Sequence, residues 1–328
     1  MTEWWPATPA SVALSSIINF MKQLILHHYQ NSPFSEKIRL ILGFKSLHWS
    51  SVLIPSMMPK PDVIALTGGY RKTPILQIGA DIYCDTALIA DVIEARAPRP
   101  TIYPSGVAGA SRILAQWADS TLFWTMIPFT MQPAGVAHMF KGVPPETLKA
   151  FGEDRNVFRA RMPRMRSAEA TAAFALYLER LEETLGKQSF FFGSTASIAD
   201  FSIYHNLWFV LRGGPVAEIL DSFRALETWR ERMAAFGHGT FDALDSGAAI
   251  AIAHDAGADA SPANKVDTHG IAIGEKVIVA ATDTGVDPIE GTLHAASEDR
   301  ISIARDDARA GKVVVHFPRI GFELRRVK

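Results

Sequence analysis

Ser32 stands immediately before Pro33 in the run Ser32-Pro33-Phe34-Ser35-Glu36-Lys37-Ile38-Arg39-Leu40, just after an apolar stretch, LILHHY (24–29). Phe34, Ile38 and Ile41 recur at i, i+4 and i+7, one face of a 3.6-residue repeat. Pro33 suits the first position of a helix, where a missing N–H costs nothing. Ser32 is then the expected N-cap. Its hydroxyl would sit at the positive end of the helix, beside backbone N–H groups that have no partner within it. Such a serine can cap the helix, and it can also stabilise an anion brought from outside. Capping is the commoner use, and these nine residues leave both open.

Other reactive side chains are few. Cys84 is the only cysteine, which excludes an intramolecular disulfide, a CxxC pair and a cysteine-based zinc site. Its neighbours Ile82 and Tyr83 place it in a strand, where it reads as a small buried hydrophobe. No metal is expected. A reducing, cytoplasmic compartment suits this cysteine usage. His316 reads as a surface histidine of a late strand. The arginine cluster over 155–166 reads as a solvated helix face.

The 328 residues are 48% hydrophobic and 20% charged, with a net charge of −1. That is the composition of a globular protein with a full core, and the length suggests two or three domains. So neutral a balance gives no sequence-wide attraction to nucleic acid or anionic membrane. No apolar run reaches the roughly 20 residues of a membrane span. Neither nucleic acid nor membrane is an expected partner. Residues 1–20 have an acidic start and no basic n-region, a poor signal peptide, and read as a leader outside the folded domains or, alternatively, as a short extra helix packed on the first domain.

The elements that must position Ser32 follow in order. After the first strand and its helix, LHWSSVLI (47–54) reads as a second strand. A Pro- and Met-rich loop, a short helix and Gly68-Gly69 come next. PILQI and DIY form a hairpin turning at Gly79-Ala80. The next helix pairs Leu88 with Val92 and Ile89 with Ile93, and Asp85 or Thr86 caps it. The order βαβ, α, ββ, α over residues 21–97 is thioredoxin-like.

SPFSEKIR, then KTP, then CDT before a helix, resembles the amino-terminal domain of the cytosolic glutathione transferases, and most the serine-type tau and zeta classes. The resemblance covers about residues 22–245 and implies glutathione as co-substrate. Ser32 would be the catalytic residue, donating a hydrogen bond to the thiolate at a helix N-terminus. The free thiol has a pKa near 8.5, so a hydrogen bond and a positive field both favour the nucleophilic form. Thr73 and Pro74 would share a cis bond, with the Thr73 backbone paired to the tripeptide in the manner of an added strand. Asp85 and Thr86 would hold the γ-glutamyl end. Both depart in size from the family's usual residues, Glu or Asp followed by Ser, but keep their chemistry. Lys72 matches a lysine of the tau-type enzymes. Lys60 is expected at the glycyl carboxylate, with its spacing to the proline offset by about one residue. Tyr29 is the alternative catalytic group, by analogy with tyrosine-type enzymes. Cys84 is not at the position of the omega-type cysteine.

APRPTIYPSG (97–106) is a link, and residues 98–245 read as an all-helical domain. Phe174, Leu178, Leu181 and Leu185 mark one buried helix face. Ser197 and Asp200 form a capping box, which resembles the N-cap motif of the family's carboxy-terminal domain and has a folding role. Trp117, Phe123 and Trp124, with Phe34, are the substrate-binding candidates. An aromatic and methionine-rich wall suits an apolar electrophile. Residues 246–270 read as a short Ala-rich helix and a linker. From 271 to 328 the period becomes two, and KVIVAA, EGTLHAAS, RISIAR, KVVVHF and FELRRV are five strands, read as a small all-β barrel-like domain that ordinary members of the family lack. The expected protein is a homodimeric glutathione S-transferase acting in detoxification. The alternative is a non-catalytic binding protein on a transferase scaffold, its β-domain recruiting a partner.

Overall fold

The computed structural model describes residues 23–159, 162, 165–258 and 270–327. The expected leader, part of the arginine cluster and residues 259–269 of the linker lie outside them. Two compact units emerge. Of the described residues, one holds those within Met1–Tyr29, Trp49–Leu88 and Phe241–Lys328, and the other holds those within Gln30–His48 and Ile89–Thr240.

The thioredoxin-like order is present as β1 (Ile25–His28), α1 (Pro33–Phe44), β2 (His48–Leu53), α2 (Pro61–Thr67), β3 (Ile75–Ile78), β4 (Asp81–Cys84) and α3 (Thr86–Arg96). β1 runs parallel to β2 and antiparallel to β3, and β3 pairs with β4 across the turn at Gly79 and Ala80. Gly79 has φ +59°, which a residue with a Cβ adopts only at a cost.

The five expected C-terminal strands are β6 (Lys276–Ala281), β7 (Ile289–Ala296), β8 (Arg300–Asp307), β9 (Gly311–Pro318) and β10 (Phe322–Arg326). β6 to β9 form an antiparallel meander, and β10 returns to pair with β6. This extra β region continues the thioredoxin-like sheet. β9 pairs in parallel with β4, with Asp81 opposite Val314, Ile82 opposite Val315 and Tyr83 opposite His316. An uncovered β4 would present a row of unsatisfied N–H and C=O groups, and β9 satisfies them. The sheet has ten strands in the order β10-β6-β7-β8-β9-β4-β3-β1-β2-β5, the last being a short edge strand, Thr240–Ala243.

The helix expected in the linker is α11 (Ser246–Ala256), which begins that stretch and packs on α2 and β9. Gln77 Nε2 donates to the Ala249 carbonyl at 2.7 Å, and Gln77 Oε1 lies 2.7 Å from His27 Nε2. One hydrophobic core joins Ile25, Ile75 and Ile82 to Ala249 and Ile252 of α11 and to Ile303, Val315 and Phe317 of the C-terminal strands.

The second unit comprises α1 and a set of helices. They are α4 (Ala108–Trp117), a π-helical turn (Ala118–Leu122), α5 (Phe123–Thr130), α6 (Pro133–Met139), α7 (Pro145–Phe158), α8 (Ser167–Leu185), α9 (Ile198–Leu211), a 3₁₀ turn (Gly214–Leu220) and α10 (Arg224–Ala234). α8 buries Phe174, Leu178, Leu181 and Leu185, the stripe its periodicity predicts. α9 packs against α1, α4 and α5 and is buried on nearly every side. Its start is the capping box. Asp200 Oδ2 accepts from the Ser197 amide at 2.8 Å, and Asp200 Oδ1 accepts from the Phe191 amide and the Trp229 indole, each at 3.0 Å. Among the described residues no helix is long and apolar enough to cross a membrane.

Candidate functional site

Ser32 is extended, with φ −79° and ψ 120°, and is the N-cap of α1. Its hydroxyl oxygen accepts from the Ser35 amide at 3.2 Å, and its carbonyl accepts from the Glu36 amide at 3.0 Å. The preceding loop is held by two guanidinium groups. Arg39 Nη2 donates to the Gln30 carbonyl at 3.0 Å, and Arg212 Nη2 donates to Asn31 Oδ1 at 2.6 Å. Both lie over the Trp208 ring, Arg39 at 6.0 Å and Arg212 at 5.1 Å from its centroid. Arg39 also grips Glu36 Oε2 at 2.6 Å, and His238 Nε2 lies 3.0 Å from Glu36 Oε1. Burial pushes the Glu36 carboxyl up, but His238 and Arg39 outweigh it and hold it below the usual range.

Three of the four substrate-binding candidates come together in this unit. The Phe34 ring lies 4.8 Å from Phe123 and 4.7 Å from His205, and Phe123 lies 5.0 Å from Trp124. Trp117 instead packs on Tyr177 at 5.1 Å. Asp119, in the π-helical turn, takes the buried Lys37 ammonium at 2.6 Å and His205 Nε2 at 2.9 Å. Burial would raise the Asp119 carboxyl, yet Lys37 and His205 bring it down to about 2. Burial dominates for His205 and lowers its imidazole, Asp119 opposing.

The remaining predicted residues lie in the first unit. The Thr73–Pro74 bond is cis. Lys60, nearly buried, donates from Nζ to Thr73 Oγ1 at 3.1 Å and lies 5.8 Å over the Tyr29 ring. Lys72 Nζ donates to Asp283 Oδ1 at 2.6 Å, a residue of the β6–β7 loop. Asp85 has φ +76°, a left-handed conformation that aspartate tolerates better than most residues. Its Oδ1 accepts from the Ala87 amide at 2.9 Å. Thr86 opens α3 and is buried. Cys84 is fully buried, and burial pushes its thiol well up, the signature of an inert cysteine.

His316 is not the surface residue its strand position suggests. It is buried, stacks on Tyr83 with centroids 4.5 Å apart, and lies 2.8 Å from Ser302 Oγ and 2.9 Å from Asp81 Oδ1. Its place at the β4–β9 junction supplies the cover, since a ring from each strand shields the other. Sequence reasoning also passed over Trp208, Arg212 and His238. The one signal available was the length of α9, which carries Trp208 and ends just before Arg212. Among the described residues no group of three or more metal-ligating side chains gathers.

The fold and these positions define a thioredoxin-like domain followed by a helical domain. Family models for the glutathione S-transferase N-terminal domain and C-terminal domain match residues 26–101 and 159–232. A GST-like protein from Pseudomonas syringae is 40% identical, with a TM-score of 0.79 over 93% of this chain and 100% of its own. The chain belongs to the glutathione S-transferase family. The beta-etherase LigF of Sphingobium sp. strain SYK-6 is similar at 20% identity and a TM-score of 0.48, over 65% of this chain and 95% of its own. A Tau class transferase from mango is similar at 17% identity and the same TM-score, over 65% of this chain and 89% of its own. No curated protein sequence matches the chain.

Proposed function

We propose that the protein is a catalytic glutathione S-transferase in which Ser32 stabilises the glutathione thiolate for attack on an apolar electrophile. The observation that carries this is the Ser32 hydroxyl at the N-cap of α1, accepting from Ser35 at 3.2 Å. One lone pair serves the helix, and the hydroxyl proton is left to donate to sulfur. The helix N-terminus adds a positive field at the same point. Thr73 pairs through its backbone with the cysteinyl part of glutathione, and Asp85 with Thr86 takes the γ-glutamyl end, charge for charge and hydroxyl for carboxylate. Lys60 and Lys72 supply positive charge beside Thr73. Phe34, Phe123 and Trp124 offer the apolar wall. Addition, displacement of a halide and ether cleavage all begin from this thiolate. The enzyme is a cytoplasmic homodimer on this reading.

The test is a glutathione titration followed by ultraviolet absorbance of the bound thiolate against pH. A saturable site with the thiol pKa lowered below its free value, and restored in Ser32→Ala, supports the reading. No binding at millimolar glutathione sinks it.

A further inference from the structure

Residues 60–74 and the turn 84–86 carry every first-unit residue given above to the tripeptide, and the C-terminal β region reaches the first of these stretches. Asp283, in the β6–β7 loop, takes Lys72 Nζ at 2.6 Å, and the same ammonium lies 5.7 Å over the Phe322 ring. Asp287 of that loop lies 3.8 Å from Arg71. Tyr70 packs against Phe317 and Phe322, with centroids 6.0 and 6.2 Å away. Tyr70 is buried, and burial with the nearby Asp85 carboxylate pushes its phenol well up, while among the described residues its hydroxyl has no hydrogen-bond partner. One tyrosine, two residues before Lys72, therefore packs the stretch that leads to Thr73 against the aromatic pair of the C-terminal strands. Further along, Arg309 grips Asp62 at 2.6 Å. The Arg305 guanidinium packs on Gly68, the left-handed C-cap of α2, so closely that a Cβ there would lie 2.4 Å from Arg305 Nε.

Attachment of the C-terminal strands does not require these contacts, because the β4–β9 ladder and the shared core already join them to the sheet. A half-exposed pair such as Lys72–Asp283 adds little to stability. What it does is hold Lys72, and so the backbone of Thr73, in one place. We propose that the C-terminal β region is the positioning element of the glutathione site, with Asp283 fixing Lys72 and Phe322 fixing Tyr70. Lys72 then serves chiefly as the anchor of Thr73, and a preordered cradle spares the cost of ordering it on binding. The inference rests on the glutathione reading above.

The experiment uses the full chain and three variants, Asp283→Asn, Phe322→Leu and Arg326→Ala. Arg326, on β10, pairs with Glu275 at 2.8 Å and reports on loss of an unrelated C-terminal ion pair. Glutathione Kd is measured by calorimetry beside the thermal midpoint. Asp283→Asn and Phe322→Leu are each expected to raise Kd about fivefold, Asp283→Asn with little change in midpoint, while Arg326→Ala leaves Kd alone. An unchanged Kd in both Asp283→Asn and Phe322→Leu overturns the inference and leaves the glutathione reading standing. Tighter binding in Asp283→Asn also overturns it, since the carboxylate would then be competing with the tripeptide for Lys72. A parent protein that binds no glutathione overturns the reading itself, and the inference with it.

Discussion

The Ser35 amide donates to the Ser32 hydroxyl at 3.2 Å, so the oxygen that caps α1 is the same one that the proposed mechanism offers to sulfur. Ser32→Ala removes both uses. The helix loses about 1 kcal/mol of capping, and the bound thiol is expected to regain about one pKa unit, or ~1.4 kcal/mol. Ser32→Thr keeps a hydroxyl and should keep most of the shift. The pH titration of bound glutathione reads this directly. If Ser32→Ala binds glutathione with the thiolate pKa unmoved, another group stabilises the thiolate, and Tyr29 becomes the one to replace.

Arg212 acts on the same loop from α9's end. Its Nη2 donates to Asn31 Oδ1 at 2.6 Å while its guanidinium lies 5.1 Å over the Trp208 ring. Arg212→Ala frees Asn31, and kcat/KM is expected to fall by about fivefold with glutathione Kd nearly unchanged, a loss of ~1 kcal/mol in the transition state alone. Arg212→Lys should rescue little, because an ammonium has neither the fork nor the flat face. A loss shared equally by Kd would place Arg212 in ground-state binding instead.

Asp85 combines a left-handed backbone with a carboxylate whose Oδ1 caps the Ala87 amide at 2.9 Å. Asparagine tolerates that backbone and can still cap, so Asp85→Asn removes charge and little else. Glutathione Kd should rise about tenfold, the value of ~1.4 kcal/mol for one charged contact. The thermal midpoint should hold. Calorimetry with γ-glutamylcysteine as well as glutathione locates the loss: both ligands should weaken alike.

Much of this was legible because its signals are local. A serine before proline, an X–Pro dipeptide, an Asp-Thr before an apolar helix and an S-x-x-D box each carry their geometry within a few residues. The five C-terminal strands were legible too, by their period of two. Their docking was not. The β4–β9 pairing joins residues as far apart as Asp81 and His316, 235 positions along the chain, and the alternation in KVVVHF would be the same with β9 at a free edge. The surroundings of α1 were equally hidden. Glu36, Lys37 and Arg39 are all buried, and the residues that neutralise or shield them, Asp119, His205, Trp208 and His238, come from remote stretches with no motif to mark them.

Asp200 is fully buried and receives the Phe191 amide, the Ser197 amide and the Trp229 indole. Asp200→Ala leaves these donors unsatisfied, at about 1–3 kcal/mol each where no water enters. A fall of at least ~3 kcal/mol in unfolding free energy is expected. Protein that does fold should bind glutathione normally, since the box anchors α9 and touches no proposed ligand residue. Denaturant unfolding with a parallel glutathione titration checks both halves, and a stable Asp200→Ala protein with weakened binding would contradict both.

His27 gives the first unit an acid limb. It is fully buried, with Nε2 2.7 Å from Gln77 Oε1, and burial lowers its pKa to about 4, the Gln77 contact and Asp62 opposing. The folded state therefore holds the neutral imidazole while the unfolded chain titrates near 6.5. Above about pH 6.5 both states are neutral and the full contribution is present. As the pH falls from there towards 4, the unfolded chain binds the extra proton and stability drops, by up to about 3 kcal/mol in all. Below 4 the folded state protonates as well and the loss levels off. His27→Gln, uncharged at every pH and able to reach Gln77, should flatten the curve across this window whatever its effect at neutral pH. Urea unfolding at half-unit intervals from pH 7.5 to 4 compares the two slopes. Parallel slopes would mean that His27 is already charged in the fold, or that another buried group, His316 first, governs the acid limb.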